Sequence, residues 1–499
     1  MNLLRKLKKI YWYLDSWLAS KRYPLNQSLP YLGITGTDGK TTTCHYLYEI
    51  AKEHGYTPLL ITTVGAKFQD EYIDFEMKSG SFLAYSIKTF LSNLKQKNYL
   101  KAIKALLLHD KEGYEKTYKE THRTTPLASE IRKLIIEYEE KGANLFILEC
   151  TSHALDQYRV HNIQFDAIGF TNITNEHLDY HGNWENYALA KSKLIGLLKE
   201  GGAIALNKND NKSYTFLKEI LDRKYKYNNY RLLEYGIEDI EKIKLENFII
   251  EVQEKGNIQQ ITAKSVNNVC KDCKQYQTSV RLLGQYNLFN ALAAFSIFYG
   301  FNDSNPEACA RGIKNLKNIP GRMQVIHQKP QVIIDFAHTS NGMENVLKSV
   351  KTKGRLWVIF GCTGERDKSK RPVMGKIAFN YADNILITAD DSRRESLFEI
   401  NNQIIQGFKN QDVDFVIHSY YDGLEYDNTQ QKFIVRFDEP NENCRINAIH
   451  FAIKNADADD TVLILGKGHE KTIDIGGKDI EWSDEKVALK ALEKYWNLK

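Results

Sequence analysis

Short apolar runs alternate with longer amphipathic segments after Pro24, and this alternation predicts strands and helices in turn. The segments between the apolar runs have helical spacing at 41–54, 127–141 and 184–198. The order predicts an α/β fold in which a mostly parallel sheet carries helices on both faces. The strand candidates of this first part of the chain are 31–34, 59–62, 145–148, 167–170 and 203–206.

A second alternating set begins near residue 319, with strand candidates at 332–335, 356–360, 384–388 and 461–465. Its length of about 180 residues is normal for one domain. Residues 66–122 are rich in Lys, Tyr and Leu and predict a helical insertion in the first set. The polar stretch 207–280 predicts a smaller β-rich subregion that includes a strand at 248–252. The predicted domains are a basic amphipathic segment at 1–26, a central domain at 27–318 and a C-terminal domain at 319–499.

The composition is that of an ordinary soluble protein, with 42% hydrophobic and 26% charged residues. A formal charge of +5 on 499 residues gives no indication of nucleic-acid binding. Seven scattered cysteines fit a reducing compartment better than a disulfide framework. No stretch approaches the roughly 20 apolar residues that span a bilayer, so we predict a cytoplasmic protein.

The first 22 residues have a helical pattern of their own, in which apolar and aromatic residues recur beside basic ones. A basic amphipathic helix with aromatic residues can lie on an anionic membrane surface. Such a helix would attach the protein peripherally to the inner face of the membrane. The favoured interpretation is a helix packed on its own domain. The apolar positions are Leu3, Leu4, Leu7, Ile10, Tyr11, Leu14, Trp17 and Leu18, and the basic ones are Arg5, Lys6, Lys8 and Lys9.

A glycine-rich turn follows the first predicted strand and opens a helix, with the sequence GTDGKTT at 36–42. Glycines allow the backbone N–H groups and the helix N-terminus to face a phosphate. Lys40 adds a positive charge for the outer phosphates, and the Thr41 hydroxyl can reach Mg²⁺. The turn matches the short pattern GxxGKT and predicts nucleotide binding without naming a reaction.

Further motifs make the prediction specific, and together with the turn they resemble the Mur ligase family in its MurE-like branch. The segments ECTSHAL at 149–155 and FTNITNEHLDYHG at 170–182 are similar to that branch. The family resemblance continues in the same order toward the C-terminus. Five more segments carry it: GQYNLFN at 284–290, GRM at 321–323, DFAHT at 335–339, GCTGERDKSKRP at 361–372 and GKGHE at 466–470. It implies a central P-loop ATPase domain followed by a Rossmann-like α/β domain.

The resemblance implies a ligase that uses ATP and Mg²⁺ to form an amide through an acyl phosphate. Lys40 and Thr41 then serve the phosphates and the first metal, and Glu149 is a hard oxygen ligand. His177 is implied at a second metal site, where Lys191, if carbamylated, is an anionic ligand. The implied nucleotide contacts are Gly36, Thr37, Asp38, Gly39, Lys40, Thr41, Thr42, Asn290, Arg322, Asp335 and His338.

The resemblance also implies which residues bind the other two substrates. The segment DDSR at 390–393 aligns with the DNPR signature of enzymes that add meso-diaminopimelate, and an arginine can grip a distal carboxylate bidentately. Asp391 and Ser392 differ from the signature, which leaves the charge preference open. The implied muramoyl-dipeptide contacts are Thr124, Thr125, Ser152, Gln157 and Arg159, and the implied amino-acid pocket is Arg366, Asp390, Asp391, Arg393, Gly466 and Glu470.

Several alternatives remain at this point. MurE enzymes begin with a uridine-nucleotide-binding domain, whereas about 30 residues precede the turn here. The acceptor is therefore either UDP-linked or UDP-free and lipid-linked. Rival functions are a folylpolyglutamate synthetase-like glutamate ligase and a catalytically silent ATP-binding scaffold. The presence of Lys40, Glu149 and His177 opposes the scaffold. Cys270 and Cys273 have no second ligand pair, so no zinc is expected. We predict a monomer with small-molecule substrates and no nucleic-acid partner.

Overall fold

A computed structural model describes residues 2–73, 126–225, 229–238, 240, 243–244, 248–255, 258–264, 274–302, 305–350, 352–408 and 415–497. Its chain divides into two compact units. The first comprises residues 1–175, 183–280 and 287–316, and the second comprises 176–182, 281–286 and 317–499. Of the predicted helical insertion at 66–122, residues 74–122 lie outside the described residues.

The first unit is built on one large sheet, which has eleven strands within the described residues. Its strand order is β11-β9-β10-β8-β7-β6-β1-β5-β2-β3-β4, and the six strands from β8 to β2 are mutually parallel. The strands are β1 Tyr31–Thr35, β2 Pro58–Thr62, β3 Gly65–Phe68, β4 Glu71–Ile73, β5 Leu145–Glu149, β6 Phe165–Phe170, β7 Leu198–Asn207, β8 Arg231–Ile237, β9 Phe248–Lys255, β10 Ile258–Lys264 and β11 Lys274–Thr278.

Helices pack on this sheet, and those at Lys40–Glu53 and Tyr286–Phe301 bury most of their residues. All five residues of β1 and of β5 are buried, as expected for parallel strands covered on both faces. The described helices up to residue 315 are α1 Asn2–Arg22, α2 Lys40–Glu53, α3 Ala128–Glu140, α4 Ser152–Asp156, α5 Leu178–His181, α6 Trp184–Ser192, α7 Asn211–Lys224, α8 Tyr286–Phe301 and α9 Pro306–Asn315. Among the described residues, no helix is both long and apolar enough to cross a membrane.

The predicted helical insertion at 66–122 does not begin where the sequence placed it. Residues in β3 and β4 form an antiparallel hairpin that extends the sheet beyond β2. Its two loop residues, Gln69 and Asp70, have φ angles of 48° and 68°. Two successive positive φ values suit the twist of a tight hairpin, but Asn-Gly is the pair that normally signals it. The sequence Gln-Asp gave no such signal, so the hairpin was missed.

Two further differences concern element boundaries in the first unit. The helix predicted at 184–198 ends at Ser192, continues as a short 3₁₀ helix at Lys193–Leu197, and gives way to β7 at Leu198. The β-rich stretch 207–280 does not form a separate subregion, because β8 pairs with β7 and β9 to β11 continue the same sheet.

The second unit is a smaller α/β layer with a mostly parallel sheet of order β12-β13-β18-β14-β15-β17-β16. Only β12 runs antiparallel to its neighbour in that sheet as described. The strands are β12 Gln324–Gln328, β13 Gln331–Asp335, β14 Leu356–Phe360, β15 Asn384–Ile387, β16 Val416–Ser419, β17 Phe433–Arg436, β18 Thr461–Leu465, β19 Thr472–Ile475 and β20 Lys478–Glu481. The helices are α10 Ser340–Ser349, α11 Lys370–Tyr381, α12 Leu397–Ile405, α13 Asn443–Asn455 and α14 Asp484–Trp496.

A fully buried ion pair ties two strand ends of the second unit to its last helix. Arg445 donates to both carboxylate oxygens of Asp484 at 2.8 and 2.7 Å, and neither side chain is exposed. The same guanidinium donates to the carbonyl oxygens of Ala389, just after β15, and Leu465, at the end of β18. Because a buried guanidinium needs all these acceptors, the pair fixes the two strand ends.

We expect Asp484→Ala to lower the free energy of unfolding by about 3–5 kcal/mol, since it leaves the Arg445 charge buried without its partner. Urea denaturation followed by circular dichroism measures this. Glu481→Ala is the matched control, because its pair with Lys486 spans 3.8 Å between two exposed side chains and contributes about 0–1 kcal/mol. An equal loss in both variants would contradict the role assigned to the buried pair.

Candidate active site

The glycine-rich turn lies at the carboxyl end of β1, an interior strand of the parallel part of the first sheet that pairs with β5 and β6. Gly36 and Gly39 have φ angles of 156° and 82°. A Cβ atom would lie 1.8 Å from Thr171 Oγ1 at Gly36 and 2.1 Å from Asn290 Oδ1 at Gly39. Both positions therefore require glycine for two reasons, namely the backbone angle and the close approach of a polar side chain.

Polar groups that follow β6 hold the turn in place. The Asp38 N–H donates to Asn172 Oδ1 at 3.0 Å, and the Thr171 hydroxyl donates to the Asp38 carbonyl at 2.7 Å. Thr37 N–H donates to the Asn172 carbonyl, and Lys40 Nζ donates to the Thr37 carbonyl at 2.6 Å. The turn is therefore preorganised by its own unit.

The helix that follows the turn begins without a side-chain cap. The first N–H groups of any α-helix have no acceptor within the helix, and the positive end of the helix dipole favours an anion. Thr41 and Thr42 lie buried in this first turn. This is the geometry in which a P-loop binds phosphate groups.

Two of the predicted metal ligands contact each other at the start of α2. The Thr41 hydroxyl donates to Glu149 Oε2 at 2.8 Å, and both side chains are buried. The same oxygen accepts from the N–H of Thr63 at 3.2 Å and from its hydroxyl at 3.3 Å. A hydroxyl and a carboxylate are hard oxygen donors, so this pair fits a Mg²⁺-like cation beside a phosphate. Thr63 was not predicted, because nothing in its local sequence distinguishes it.

Lys191 is also brought to the turn. Its side chain is 1% exposed, its ammonium donates to the Gly36 carbonyl, and its Nζ lies 4.5 Å from the centre of the Tyr187 ring. The Tyr187 hydroxyl in turn contacts Thr37 Oγ1 at 3.2 Å. Lys191 is thus next to the phosphate-binding turn, and its carbamylation stays a prediction.

His177, the fourth predicted ligand, groups with the second unit. It has a φ of 53° and a 42% exposed side chain, and its Nε2 is 3.8 Å from Glu176. Glu176 lies at the same distance from His338 Nε2. Within the described residues, no three His, Cys, Asp or Glu side chains cluster as a metal site. A second metal site at His177 stays a prediction.

The predicted acceptor residues lie on and after the short helix α4. Ser152 is buried in it, and Gln157 Oε1 accepts from Arg159 Nε at 3.1 Å and Nη2 at 2.5 Å. Burial acts to raise the pKa of the neighbouring Asp156, but the ammonium groups of Lys193 and Lys9 outweigh it and lower that pKa to about 2. Thr124 and Thr125 lie outside the described residues.

In the second unit, the predicted amino-acid pocket is built from three loops at the carboxyl ends of strands. Asp390 is buried, its Oδ2 accepts from Thr363 Oγ1 at 3.1 Å, and its carboxylate lies beneath Gly466. Burial acts to raise the pKa of Asp390, but the charges of Lys467, Arg445 and Lys370 hold it below its ordinary value. Asp390 is therefore an anion in this loop cluster.

Asp391 supports the loop from within. Its Oδ1 accepts from Lys467 Nζ at 2.8 Å and from the Asp474 N–H at 2.9 Å. Its carbonyl accepts from Gly364, and Arg393, with a φ of 54°, donates its N–H to the Asp474 carbonyl. These hydrogen bonds hold the segment 390–393 against β19 and fix the backbone of Arg393.

Lys467 joins two of the predicted pocket residues and was not itself predicted. It is 1% exposed and lies 2.5 Å from Glu470 as well as 2.8 Å from Asp391. Burial raises the pKa of Glu470 to about 7 despite the opposing charge of Lys467. The GKGHE motif contains Lys467, so the signal was present in the sequence. Arg366 lies on the exposed part of the loop at 361–369.

The residues predicted to contact the nucleotide from the second unit have structural roles of their own. Asp335 accepts the N–H groups of Met323 and Ala337 at 2.7 and 2.8 Å. The Arg322 guanidinium stacks 4.5 Å from the centre of the Phe336 ring. Burial and the nearby Lys370 charge lower the pKa of His338. Asn290 does lie at the glycine-rich turn, where it also donates to Asn287 Oδ1.

Comparisons with known proteins agree with this arrangement. A family model described as the Mur ligase middle domain matches residues 34–298, and one described as the Mur ligase, glutamate ligase domain matches 321–468. The chain is 32% identical over 479 residues to the UDP-N-acetylmuramoyl-L-alanyl-D-glutamate--2,6-diaminopimelate ligase of Bacillus licheniformis, covering 93% of this chain and 79% of that protein. The chain belongs to the Mur ligase family.

Two solved structures share the fold of this Mur ligase family member. A UDP-N-acetylmuramoyl-L-alanyl-D-glutamate--2,6-diaminopimelate ligase has a TM-score of 0.53 at 22% identity, covering 98% of this chain and 84% of that one. A bifunctional folylpolyglutamate synthase/dihydrofolate synthase with Mn, AMPPNP and L-glutamate bound has a TM-score of 0.55 at 15% identity, covering 91% and 90%. Family membership makes the chain an ATP-dependent, amide-forming ligase that uses a divalent metal.

We expect Gly39→Ala to weaken nucleotide binding by about tenfold or more, because the new Cβ displaces Asn290 and opens the turn. Isothermal titration with ADP measures this. Gly55→Ala is the matched control, since Gly55 has a φ of 80° with nothing within 4 Å of a Cβ. The control incurs the same backbone strain of about 1–2 kcal/mol. Equal nucleotide affinity in the two variants would contradict the assigned role of Gly39.

Proposed function

We propose that the enzyme adds meso-diaminopimelate to a muramoyl-dipeptide acceptor through an acyl phosphate, in the synthesis of a peptidoglycan precursor. The observation that supports it most strongly is the Thr41–Glu149 contact at the uncapped start of α2, beside Lys40. That group of residues suits metal-assisted phosphoryl transfer to a carboxylate. The relatives that share most of this chain's length are named for this ligation.

The proposed reaction has two steps. An acceptor carboxylate oxygen attacks the γ-phosphorus of ATP, the bond to the β-phosphate oxygen breaks, and ADP leaves. The amine of the incoming amino acid then attacks the acyl carbon, phosphate leaves with the former carboxylate oxygen, and the ammonium proton is lost. Lys40 and the N–H groups at the start of α2 offset the negative charge on the transferring group.

Mg²⁺ is the divalent metal that we propose for the first site. When bound, it would neutralise charge on the phosphate oxygens. Thr41 and Glu149 would hold it, because their oxygens converge at the end of the turn. In the proposal, Lys191 joins them after carbamylation, which converts a cation into an anionic ligand, and His177 serves a second metal.

For the amino acid, we propose that Arg393 grips the distal carboxylate of diaminopimelate. The additional carboxylate at Asp391 does not oppose this in our account, because it is paired with Lys467 and with the Asp474 N–H. Asp391 Oδ1 thus acts as a hydrogen-bond acceptor, and the Oδ1 of an asparagine at this position could accept the same bonds. Glu470, Asp390 and Arg366 complete the proposed pocket.

For the acceptor, we propose contacts from Ser152 and from the Gln157–Arg159 pair, whose guanidinium suits a carboxylate or a phosphate. The same chemistry suits a UDP-linked acceptor and a UDP-free one. We also propose that the enzyme acts as a cytoplasmic monomer, with a peripheral contact at the inner membrane face that involves α1.

The test is phosphate release from ATP with UDP-muramoyl-Ala-Glu and single candidate amino acids. We expect release only when the muramoyl dipeptide and diaminopimelate are both present, with lysine and glutamate inactive. Lys40→Ala should lower the rate by about 100-fold or more while leaving the circular dichroism unchanged. Lys52→Ala is the matched control on the same helix, because Lys52 makes surface pairs with Glu49 and Asp70.

The outcomes separate the alternatives. Release with glutamate and a folate acceptor would replace the proposal with a folylpolyglutamate-type ligase. Release with diaminopimelate only when the acceptor lacks UDP would change the acceptor and keep the chemistry. If no pair supports release, or Lys40→Ala keeps full turnover, the proposed function fails.

A further inference from the structure

One face of α1 is apolar and lies open to solvent. Ile10, Tyr13, Leu14, Trp17 and Leu18 are each between 41% and 56% exposed. Their spacing of three and four residues places them in a single stripe along the helix. Single exposed apolar residues need no explanation, but a continuous stripe with an indole and a phenol marks an interaction surface.

The opposite side of α1 is fixed to the first unit. Tyr13, at the edge of the stripe, also contacts the rings of Tyr158 and His161, so Ile10, Leu14, Trp17 and Leu18 form the open face. Ser16 and Ala19 are buried, and the Ser16 hydroxyl donates to the Tyr158 carbonyl at 2.6 Å. Lys9 Nζ donates to Asp156 at 3.0 Å. The favoured sequence interpretation, a helix packed on its own domain, therefore accounts for one face only.

The positive charge of the protein is concentrated in the same helix. Residues 1–22 contain six basic residues, Arg5, Lys6, Lys8, Lys9, Lys21 and Arg22, and one acidic residue, Asp15. Their formal charge of +5 equals that of the whole chain, so the other 477 residues are formally neutral. Lys21 and Arg22 are exposed at the end of the stripe.

We infer that the exposed stripe of α1 docks the enzyme on an anionic lipid surface. An interfacial helix needs an apolar face, aromatic residues at headgroup depth and flanking cations, and this segment has all three. A protein partner or a second copy would also cover apolar residues, but the formal charge of +5 carried by residues 1–22 favours a surface of dense negative charge. The inference concerns where the enzyme works and goes beyond the proposed reaction.

The docked position has a consequence for the acceptor, which rests on the proposed function. Lys9 and Ser16 of α1 contact Asp156 and Tyr158, which alternate in sequence with Gln157 and Arg159. Tyr13 also packs edge-on against Tyr158, with ring centres 5.5 Å apart. The helix that would meet the membrane therefore braces the segment proposed to bind the acceptor, which suits an acceptor carried on a lipid.

The test is sedimentation of the full-length protein with vesicles of phosphatidylglycerol and phosphatidylcholine, compared with phosphatidylcholine alone. We expect binding to the anionic vesicles that weakens as salt is raised. Leu14→Gln with Trp17→Gln should lower the partition coefficient by about tenfold or more. Val416→Gln with Tyr421→Gln is the matched control, since both residues are exposed and lie in the second unit.

Three results would overturn the inference. They are no binding by the unaltered protein, binding unchanged in the stripe variant, and a dimer in solution that the stripe substitutions dissociate. Circular dichroism and phosphate release of the stripe variant exclude misfolding as the cause of lost binding. The variant Lys40→Ala should still bind vesicles, so failure of the proposed reaction and failure of the docking inference are distinguishable.

Discussion

The parallel pairing of β1 with β5 and β6 is the constraint on which the phosphate-binding group depends. Parallel strands place their carboxyl ends on one edge of the sheet. β1 lies between β5 and β6 and runs parallel to both, so the ends of all three strands meet at that edge. The glycine-rich turn and the Thr171–Asn172 pair directly follow β1 and β6, and Glu149 is the last residue of β5. A carboxylate more than a hundred residues away thereby reaches the hydroxyl of Thr41.

The second unit uses the same rule, with buried charge added. Its pocket loops follow β14, β15 and β18, and Arg445 bonds the carbonyl groups at the ends of the latter two. Lys467 then pairs with Asp391 and Glu470 just beyond those ends. Arg445 and Lys467 each have a carboxylate partner, which keeps the cost of desolvation low enough for a fixed arrangement. The chemistry of the loops therefore depends on a charge network that starts in the core.

The sequence was sufficient where function depends on a local pattern. The turn at 36–42 needs glycine at two positions with positive φ angles and a lysine after the second. These residues can all be read from one motif of seven residues. It was insufficient where a contact is made only after folding. Thr63 contacts Glu149 through its backbone and side chain, yet its segment resembles any strand end. The β3–β4 hairpin was missed because its turn uses Gln-Asp, which becomes recognisable only from the φ angles. The apolar stripe on α1 could be recognised from the spacing of its residues. Its exposure could not, because that depends on which face of the helix packs on the first unit.

The acyl phosphate is the central claim of this account, and transfer of an oxygen isotope tests it most directly. The acceptor is prepared with ¹⁸O in its reacting carboxylate, the enzyme is supplied with ATP and diaminopimelate, and the released phosphate is analysed by mass spectrometry. The account predicts one ¹⁸O atom in each phosphate released with an amide formed, because the carboxylate oxygen leaves on phosphorus. Phosphate without label, or cleavage of ATP to AMP and pyrophosphate, would contradict it.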